Sequence, residues 1–337
     1  MRLAATVAAA FVTLSAAGIA PAADPELVIG TERLLTPQIL WHTEDGPRVT
    51  DRNGIVYKIS ITGGTLALDR RAGEMPPPAD KMTDQLPGST VSFGNRNIRR
   101  AWLAGPTDRY RHGVLGDAIE ASAVIVENPE GRRFRLDLPP DTVFEDQIPR
   151  ILDLDDDGRD ELLLVLAKQD SGAAIAVVEF DGSALRLAAT GPDFGRPNRW
   201  LNPIGAADVD GDGRTEIAYI ATPHIGGVLN LFRYDGTALS RIAQTPGFSN
   251  HAIGAANLGW SAILDVTADG IPDLVIPARD RSLLRVMSFA GAQFSEPMAI
   301  RLPSDPSSDF LVTDLNDNNR PDLLIGLRDG SLAALLF

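Results

Sequence analysis

Four acidic segments of the chain repeat one pattern of oxygen-bearing side chains. Each spans nine residues, begins and ends with a carboxylate, and carries further oxygen donors at positions 3 and 5. In such a loop alternate side chains converge, position 7 offers its backbone carbonyl, and glycine at position 6 permits a sharp reversal, which suits a hard cation. The sequence therefore predicts calcium sites. The predicted ligands are Asp153, Asp155, Asp157, Arg159 and Glu161; Asp208, Asp210, Asp212, Arg214 and Glu216; Asp265, Thr267, Asp269, Ile271 and Asp273; and Asp314, Asn316, Asn318, Arg320 and Asp322.

The four loops differ in charge. The first two offer four carboxylates each, Thr267 replaces one acid in the third, and the fourth keeps two acids and has Asn319 in place of glycine. Asparagine tolerates the left-handed conformation that this turn requires. Because charge tunes calcium affinity, we expect occupancy to fall from the first and second loops to the third and then the fourth, with two to four ions in all. The alternative is that the loops are acidic turns that fold without metal.

The residues around the loops predict strands rather than helices. A helical calcium loop needs a bidentate glutamate at position 12, where this chain has Leu164, Tyr219, Ile276 and Ile325. Short apolar runs follow each loop, and Asp181-Gly182 and Asp235-Gly236 are hairpin signals. About four strands per repeat of roughly 50 residues are typical of a β-propeller. The predicted fold is therefore all-β, a propeller of four-stranded blades.

The repeat spacing divides the chain into six blades, with seven as the alternative. The predicted blades are 37–94, 95–145, 146–197, 198–250, 251–306 and 307–337. Because the last has only three strands, a ring requires its fourth from the N-terminal part, either Leu27–Ile29 or Leu34–Leu40. The segment 73–80 is proline-rich and is predicted to be a surface loop. The tract Tyr110–Glu120 is interpreted as part of a blade that has lost its calcium loop.

These acidic segments resemble the FG-GAP or VCBS-type repeat found in the propeller of integrin α-subunit head regions and in exported bacterial proteins. The resemblance covers roughly residues 95–337 and is most specific in the acidic loops. It implies a propeller with calcium in hairpin loops on one face. It implies no reaction, because such propellers serve as adhesion modules and as accessory domains of enzymes.

A second site is predicted on the face opposite the calcium loops, where the connections between blades lie. Polar and aromatic residues gather in these turns, and arginine with tryptophan could hold an anionic or sugar-like group. The alternative is that these side chains close the central channel by packing. Zinc at His224 and His251 has no support from ligand spacing. The predicted ligand-binding residues are Arg196, Asn198, Arg199, Trp200, His224, Asn250 and His251.

Composition and the N-terminus limit the partners and the compartment. The 337 residues carry a formal charge of −14, which argues against nucleic acid or an anionic membrane as the main partner. Residues 1–22 have one charge, an apolar run and Ala20-Pro21-Ala22, a pattern typical of a cleaved signal peptide. We therefore expect a periplasmic or secreted monomer with one domain over 23–337 and no membrane-spanning segment after cleavage.

The sequence favours a binding module over an enzyme. It contains no nucleophile elbow, no zinc-protease helix motif and no phosphate-binding loop. The expected function is a calcium-stabilised propeller that binds a protein or glycan partner. One alternative is a polysaccharide-acting hydrolase or lyase on the same scaffold, with arginine, histidine and Tyr110 as proton-transfer candidates. The other is a purely structural module of the cell envelope.

Overall fold

The structure, a computed structural model, describes residues 25–337. Within this range it contains 25 β-strands and no α-helix, which confirms the predicted all-β class. None of the described residues belongs to a helix long and apolar enough to cross a membrane. The predicted signal peptide, residues 1–22, lies outside the described range.

The strands follow one another along the chain and are joined by turns and by several longer loops. They are β1 (Glu26–Ile29), β2 (Ile39–Thr43), β3 (Gly46–Thr50), β4 (Val56–Thr62), β5 (Thr65–Arg71), β6 (Ser92–Phe93), β7 (Arg100–Thr107), β8 (Glu120–Glu127), β9 (Arg133–Asp137), β10 (Thr142–Phe144), β11 (Arg150–Leu152), β12 (Glu161–Lys168), β13 (Gly172–Phe180), β14 (Leu185–Thr190), β15 (Leu201–Ala207), β16 (Glu216–Ala221), β17 (Val228–Tyr234), β18 (Leu239–Pro246), β19 (Ala262–Leu264), β20 (Asp273–Pro277), β21 (Leu283–Ala290), β22 (Gln293–Arg301), β23 (Leu311–Thr313), β24 (Asp322–Gly326) and β25 (Leu332–Leu336).

Antiparallel pairing groups these strands into six four-stranded units. The units are β2–β5, β6–β9, β11–β14, β15–β18, β19–β22, and β23–β25 completed by β1. The second and third units are joined into one nine-stranded sheet, because β10 pairs with both β8 and β12. Apart from β6, which lies within the predicted first blade, and β1, which precedes all of them, the strands of the six units fall within the corresponding predicted blades. Residues 73–80 form no strand, as predicted.

The sixth unit takes its fourth strand from the beginning of the described chain. Strand β1 pairs with β25, with Glu26 opposite Leu336 and Ile29 opposite Ala333. Of the two predicted candidates for this strand, Leu27–Ile29 is therefore correct. Residues 34–38 instead lie in the connection from β1 to β2, and Ile39 and Leu40 begin β2.

Buried apolar residues fill the spaces between neighbouring units. Each cluster contains side chains from both of the neighbouring units. The exception lies between the first and second units, where Met82 and Val91 of the connecting segment pack against Trp102 of the second unit. Representative pairs are Leu103 and Leu164 for the second and third units, Val165 and Ile217 for the third and fourth, Ile220 and Leu274 for the fourth and fifth, Val275 and Leu323 for the fifth and sixth, and Leu324 and Val49 for the sixth and first.

The order of strands assigns the loops to two faces. The acidic loops join the first and second strands of four units, and they share a face with the turns at Asp181-Gly182 and Asp235-Gly236. The loops between second and third strands lie on the opposite face, together with the connections between units. Residues 108–119 form such a loop between β7 and β8. Residues 94–99 hold the position of the acidic loop in the second unit and contain no acidic residue. The tract Tyr110–Glu120 belongs to this unit, in which the calcium loop is lacking.

Candidate functional site

The first acidic loop brings three of its predicted ligands together. Oxygen atoms of Asp153, Asp155 and Glu161 all lie within 4.8 Å of one another. Asp157 stays outside this group, and its Oδ1 accepts a hydrogen bond from the Arg159 amide at 2.7 Å. Burial, reinforced by the neighbouring aspartates, raises the pKa of Glu161 to about 8. Three converging carboxylates are thus concentrated at the point where the loop meets β12.

The donor set of the first loop fits a calcium ion. Asp153 Oδ1 and Asp155 Oδ1 are buried and have no hydrogen-bond donor among the described residues. A buried carboxylate oxygen without a partner is unfavourable, and a hard cation would supply the missing charge. Calcium favours oxygen ligands of this kind. A cavity of about 310 Å³, lined in part by Asp155, Glu161 and Glu179, adjoins the group.

The second loop has acids at the same positions as the first, and an arginine from a neighbouring strand lies among them. Oxygen atoms of Asp208, Asp210 and Glu216 lie within 4.8 Å of one another. Arg233 on β17 reaches into this loop, where its guanidinium group bonds to Glu216 and lies 3.4 Å from Asp210 Oδ2. The same group lies 3.1 Å from Asp212 Oδ2. The charge of the second loop is therefore partly balanced by the protein itself. In the first loop the Arg96 guanidinium group lies 2.6 Å from Asp153 Oδ2, and no cation among the described residues pairs with Asp155 or Glu161.

In the third and fourth loops the predicted ligand side chains form hydrogen bonds with other groups of the same loop. Thr267 Oγ1 donates to Asp273 Oδ2 at 3.2 Å, and the amide of Ile271 donates to Asp269. In the fourth loop, Asn316 and Asn318 accept hydrogen bonds from the amides of Asn318 and Arg320. Neither loop has three acidic or histidine ligand atoms within 4.8 Å of one another among the described residues.

All four loops share a backbone framework that their own acids hold in place. The first acid of each loop accepts a hydrogen bond from the backbone amide of position 6. The amide of Gly158 donates to Asp153 at 3.0 Å, and that of Asn319 donates to Asp314 at 2.8 Å. The last acid accepts a hydrogen bond from the backbone amide of position 2; in the first loop the amide of Leu154 donates to Glu161 at 2.9 Å. Asn319 has the predicted left-handed conformation, with φ of 62°. These bonds shape each loop whether or not a cation is present.

On the opposite face, the loop 108–119 reaches from the second unit to the connection between the fourth and fifth. The amide of Gly254 donates to the Val114 carbonyl at 3.0 Å. Val114 and Leu115 are buried in the same cluster as Trp200 and Leu258. This loop and the connections 196–200 and 249–258 therefore close the centre of this face.

The predicted aromatic and histidine ligands are packed within this closure. Trp200 is 2% exposed and donates through Nε1 to the Glu145 carbonyl at 2.9 Å. His251 is fully buried and contacts both Trp200 and His224; its Nε2 donates to the Ala255 carbonyl, and its Nδ1 accepts from His224 Nε2 at 2.8 Å. Burial lowers the pKa of both histidines to about 4. They are therefore neutral near pH 7.

The remaining predicted residues divide between backbone contacts and an open groove. Asn250 is fully buried and donates to the Asn202 carbonyl, whereas the Asn198 amide donates to the Tyr110 hydroxyl. Arg196 and Arg199 line a groove of about 350 Å³ beside the fourth unit. Of the predicted ligand set, Arg196 and Arg199 line this groove, and Asn198 between them is also exposed.

The groove also contains residues that the sequence did not single out. Arg241 on β18 lines it together with the two arginines, over an apolar floor that includes Phe194 and Tyr219. Asp193, the one acid of the lining, lies 3.9 Å from Lys168. None of the three arginines forms an ion pair within residues 25–337. Three guanidinium groups without ion-pair partners give this groove the chemistry that suits an anionic group.

A buried carboxyl pair near the closed centre was also absent from the predicted set. Glu120 and Glu145 flank the paired residues Ala121 and Phe144 of neighbouring strands, and each has one buried oxygen without a hydrogen-bond donor among the described residues. His112 Nδ1 lies 2.5 Å from Glu145 Oε1. Burial, with the nearby charge of Glu145, raises the pKa of Glu120 to about 9.

Part of the chain matches a known family of repeats. Residues 153–219 match the family model of the FG-GAP-like repeat. The resemblance is confirmed there. This segment begins with the first acidic loop and extends through the whole of the second. None of the curated proteins matches the chain.

Solved structures with a similar fold have low sequence identity to this chain. The six-bladed propeller lectin of the fungus Aleuria aurantia is 14% identical, with 90% of this chain and 92% of that chain covered and a TM-score of 0.36. The coronin WD40 domain of Toxoplasma gondii is 13% identical, with coverages of 89% and 69% and a TM-score of 0.39. The soluble aldose sugar dehydrogenase of Escherichia coli is 13% identical, with coverages of 93% and 99% and a TM-score of 0.43. At these values the matches carry no functional argument.

Proposed function

We propose that this chain is an exported, calcium-stabilised β-propeller that binds a protein or glycan partner without catalysing a reaction. The partner carries an anionic group, which binds in the groove of Arg196, Arg199 and Arg241. The observation that carries the proposal is the set of three arginines without acidic partners in a chain whose formal charge is −14. Arginine binds carboxylate, sulfate and phosphate groups through paired hydrogen bonds.

The groove combines charge with an apolar floor. Phe194 and Tyr219 offer ring faces beside the arginines, an arrangement that suits an acidic sugar or an acidic side chain. The candidates for proton transfer are less accessible. Tyr110 is 4% exposed and His251 is fully buried, and burial raises the pKa of Tyr110. These features favour binding over the hydrolase or lyase alternative.

Calcium has a supporting part in this proposal. The ion would be held on the face opposite the groove by Asp153, Asp155 and Glu161, so it would stabilise the fold without contacting the partner. A ligand that binds only the folded state stabilises that state by mass action. Export is proposed from the sequence of residues 1–22.

Binding of oligogalacturonate, compared with a neutral oligosaccharide of equal length, tests the proposal. Calorimetric titration should detect binding of the acidic chain, weakening as salt is raised. The double variant Arg196→Ala/Arg199→Ala should weaken this binding about tenfold or more with an unchanged melting temperature. Arg301→Ala, at an exposed position on β22, is the matched control. Equal binding by the double variant and the unaltered protein would refute the groove as the site, and release of shortened products would refute the non-catalytic role.

A further inference from the structure

The four acidic loops differ at one oxygen atom of their last acid. One oxygen of this acid always accepts the amide of position 2 of the loop. The other oxygen faces the third strand of the unit and has a different environment in each. It bonds to the Arg233 guanidinium group in Glu216, the Ser288 hydroxyl in Asp273 and the Phe337 amide in Asp322. In Glu161 no described residue donates to it.

Strand register explains why the loops differ. Glu216 pairs with Arg233 across β16 and β17, and the register of β12 and β13, in which Leu162 pairs with Val178, places Glu179 opposite Glu161. Directly opposed residues of antiparallel strands share a face of the sheet. The same position therefore carries a cation in the fourth unit and a further carboxylate in the third.

Charge at this position distinguishes the second loop from the first. Glu216 is fully buried, and Arg233 supplies the positive charge and the donors that this buried carboxylate requires. The guanidinium group also lies near Asp210 and Asp212, so a calcium ion there would have to displace it. In the third unit, Glu179 adds to the negative charge around the first loop, and its own partners are Arg186 and Tyr234.

We propose that Arg233 acts as a built-in cation of the second loop, so that the first loop is the single high-affinity calcium site among the four. This inference rests on the calcium part of the proposed function and narrows it to one loop. It also revises the expectation that the first and second loops bind alike, because equal numbers of acids do not give equal net charge.

Titration of the chelator-treated protein with calcium chloride tests the inference by calorimetry. The unaltered protein should bind one equivalent tightly, and Asp155→Asn should weaken that binding about tenfold or more. The matched variant Asp210→Asn should leave it unchanged. Arg233→Ser, which copies the residue at the equivalent position of the fifth unit, should bind a second equivalent and should gain more thermal stability from calcium than the unaltered protein does.

The reverse exchange keeps the test decisive if Arg233→Ser does not fold. Glu179→Arg places a guanidinium group at the first loop and should abolish the tight calcium site, whereas Glu179→Gln should retain it. Two tight equivalents in the unaltered protein, one of them lost in Asp210→Asn, would overturn the inference. Failure of folded Arg233→Ser to gain an equivalent, or tight binding by Glu179→Arg, would also overturn it.

The two proposals fail in different ways. If the unaltered protein binds no calcium, calcium stabilisation and the single first-loop site are both refuted. The role of Arg233 is then judged by whether Arg233→Ser acquires an equivalent. Binding of acidic oligosaccharide to the groove is measured independently of either result.

Discussion

Single side chains in this propeller have roles that their residue types alone do not reveal. Arg233 and Glu179 lie at matching strand positions and have opposite charges, and His251 is a neutral, buried hydrogen-bonding group. The sequence predicted where the acidic loops lie because their ligands are local. It did not predict Arg233, because that residue follows Glu216 by a full hairpin and meets it only through the register of β16 and β17.

The buried carboxyl of Glu120 makes stability depend on pH. Its pKa of about 9 in the fold exceeds the ordinary value of 4.5, because burial and the nearby Glu145 disfavour the charged form. Such a group stabilises the fold below its unfolded pKa, and this stabilisation is lost as pH rises through the folded value. The free energy of unfolding should therefore decrease between pH 6 and 9. In Glu120→Gln this decrease should be smaller, by on the order of 1 kcal/mol per pH unit.

Urea unfolding of the two proteins at a series of pH values measures this difference. Glu130→Gln, at an exposed position in the turn between β8 and β9, is the control and should keep the unaltered slope. Parallel slopes for Glu120→Gln and the unaltered protein would contradict the prediction.

Substitution of Asn319 tests the backbone conformation of the turn in the fourth loop. It has a φ of 62°, where the other three loops have Gly158, Gly213 and Gly270. Glycine adopts this conformation without the steric penalty that a side chain incurs. Asn319→Gly should therefore raise the melting temperature slightly, whereas Asn319→Ala should destabilise the fold by about 1 kcal/mol. Thermal unfolding would contradict the assignment if the alanine variant were the more stable of the two.

At the scale of strands, local patterns predicted most of the fold. The Asp-Gly turns, the apolar runs after each acidic loop and the spacing of the loops led to six four-stranded units. Strand β10 was not foreseen, because a run of three residues that pairs with two different units has no periodicity of its own. The packing of Trp200 against His251 was also beyond local reasoning, since it depends on how the connections meet at the closed centre.

Strand β1 is the element whose loss should matter most for the sixth unit. Val28 is 6% exposed and shares a buried cluster with Leu66 and Leu324. Val28→Asp would place an unpaired charge in this cluster and release β1 from β25, leaving an open strand edge. We expect a destabilisation of several kcal/mol and concentration-dependent association, measured by urea unfolding and light scattering. Glu26→Gln, which changes an exposed residue of the same strand, should behave like the unaltered protein.

At the scale of the whole molecule, the excess of acidic residues and the calcium site proposed for the first loop would act together. Self-repulsion among like charges weakens a compact state, and an ion bound at the first loop offsets part of it locally. A chelator should therefore lower the melting temperature. Calcium at a hundred times its dissociation constant should restore about 2.7 kcal/mol. At the same calcium concentration Asp155→Asn, with its weaker binding, should gain about 1.4 kcal/mol or less, and a calcium response equal to that of the unaltered protein would contradict this prediction.

The pairing of β1 with β25 also has a consequence for synthesis. Glu26 and Leu336 are paired although 310 positions separate them (336 minus 26), and contacts between such distant residues form slowly. On the ribosome, β1 emerges early and has no strand to pair with until residues 332–336 have left the exit tunnel. The sixth sheet of the nascent polypeptide is therefore completed only after those residues have emerged.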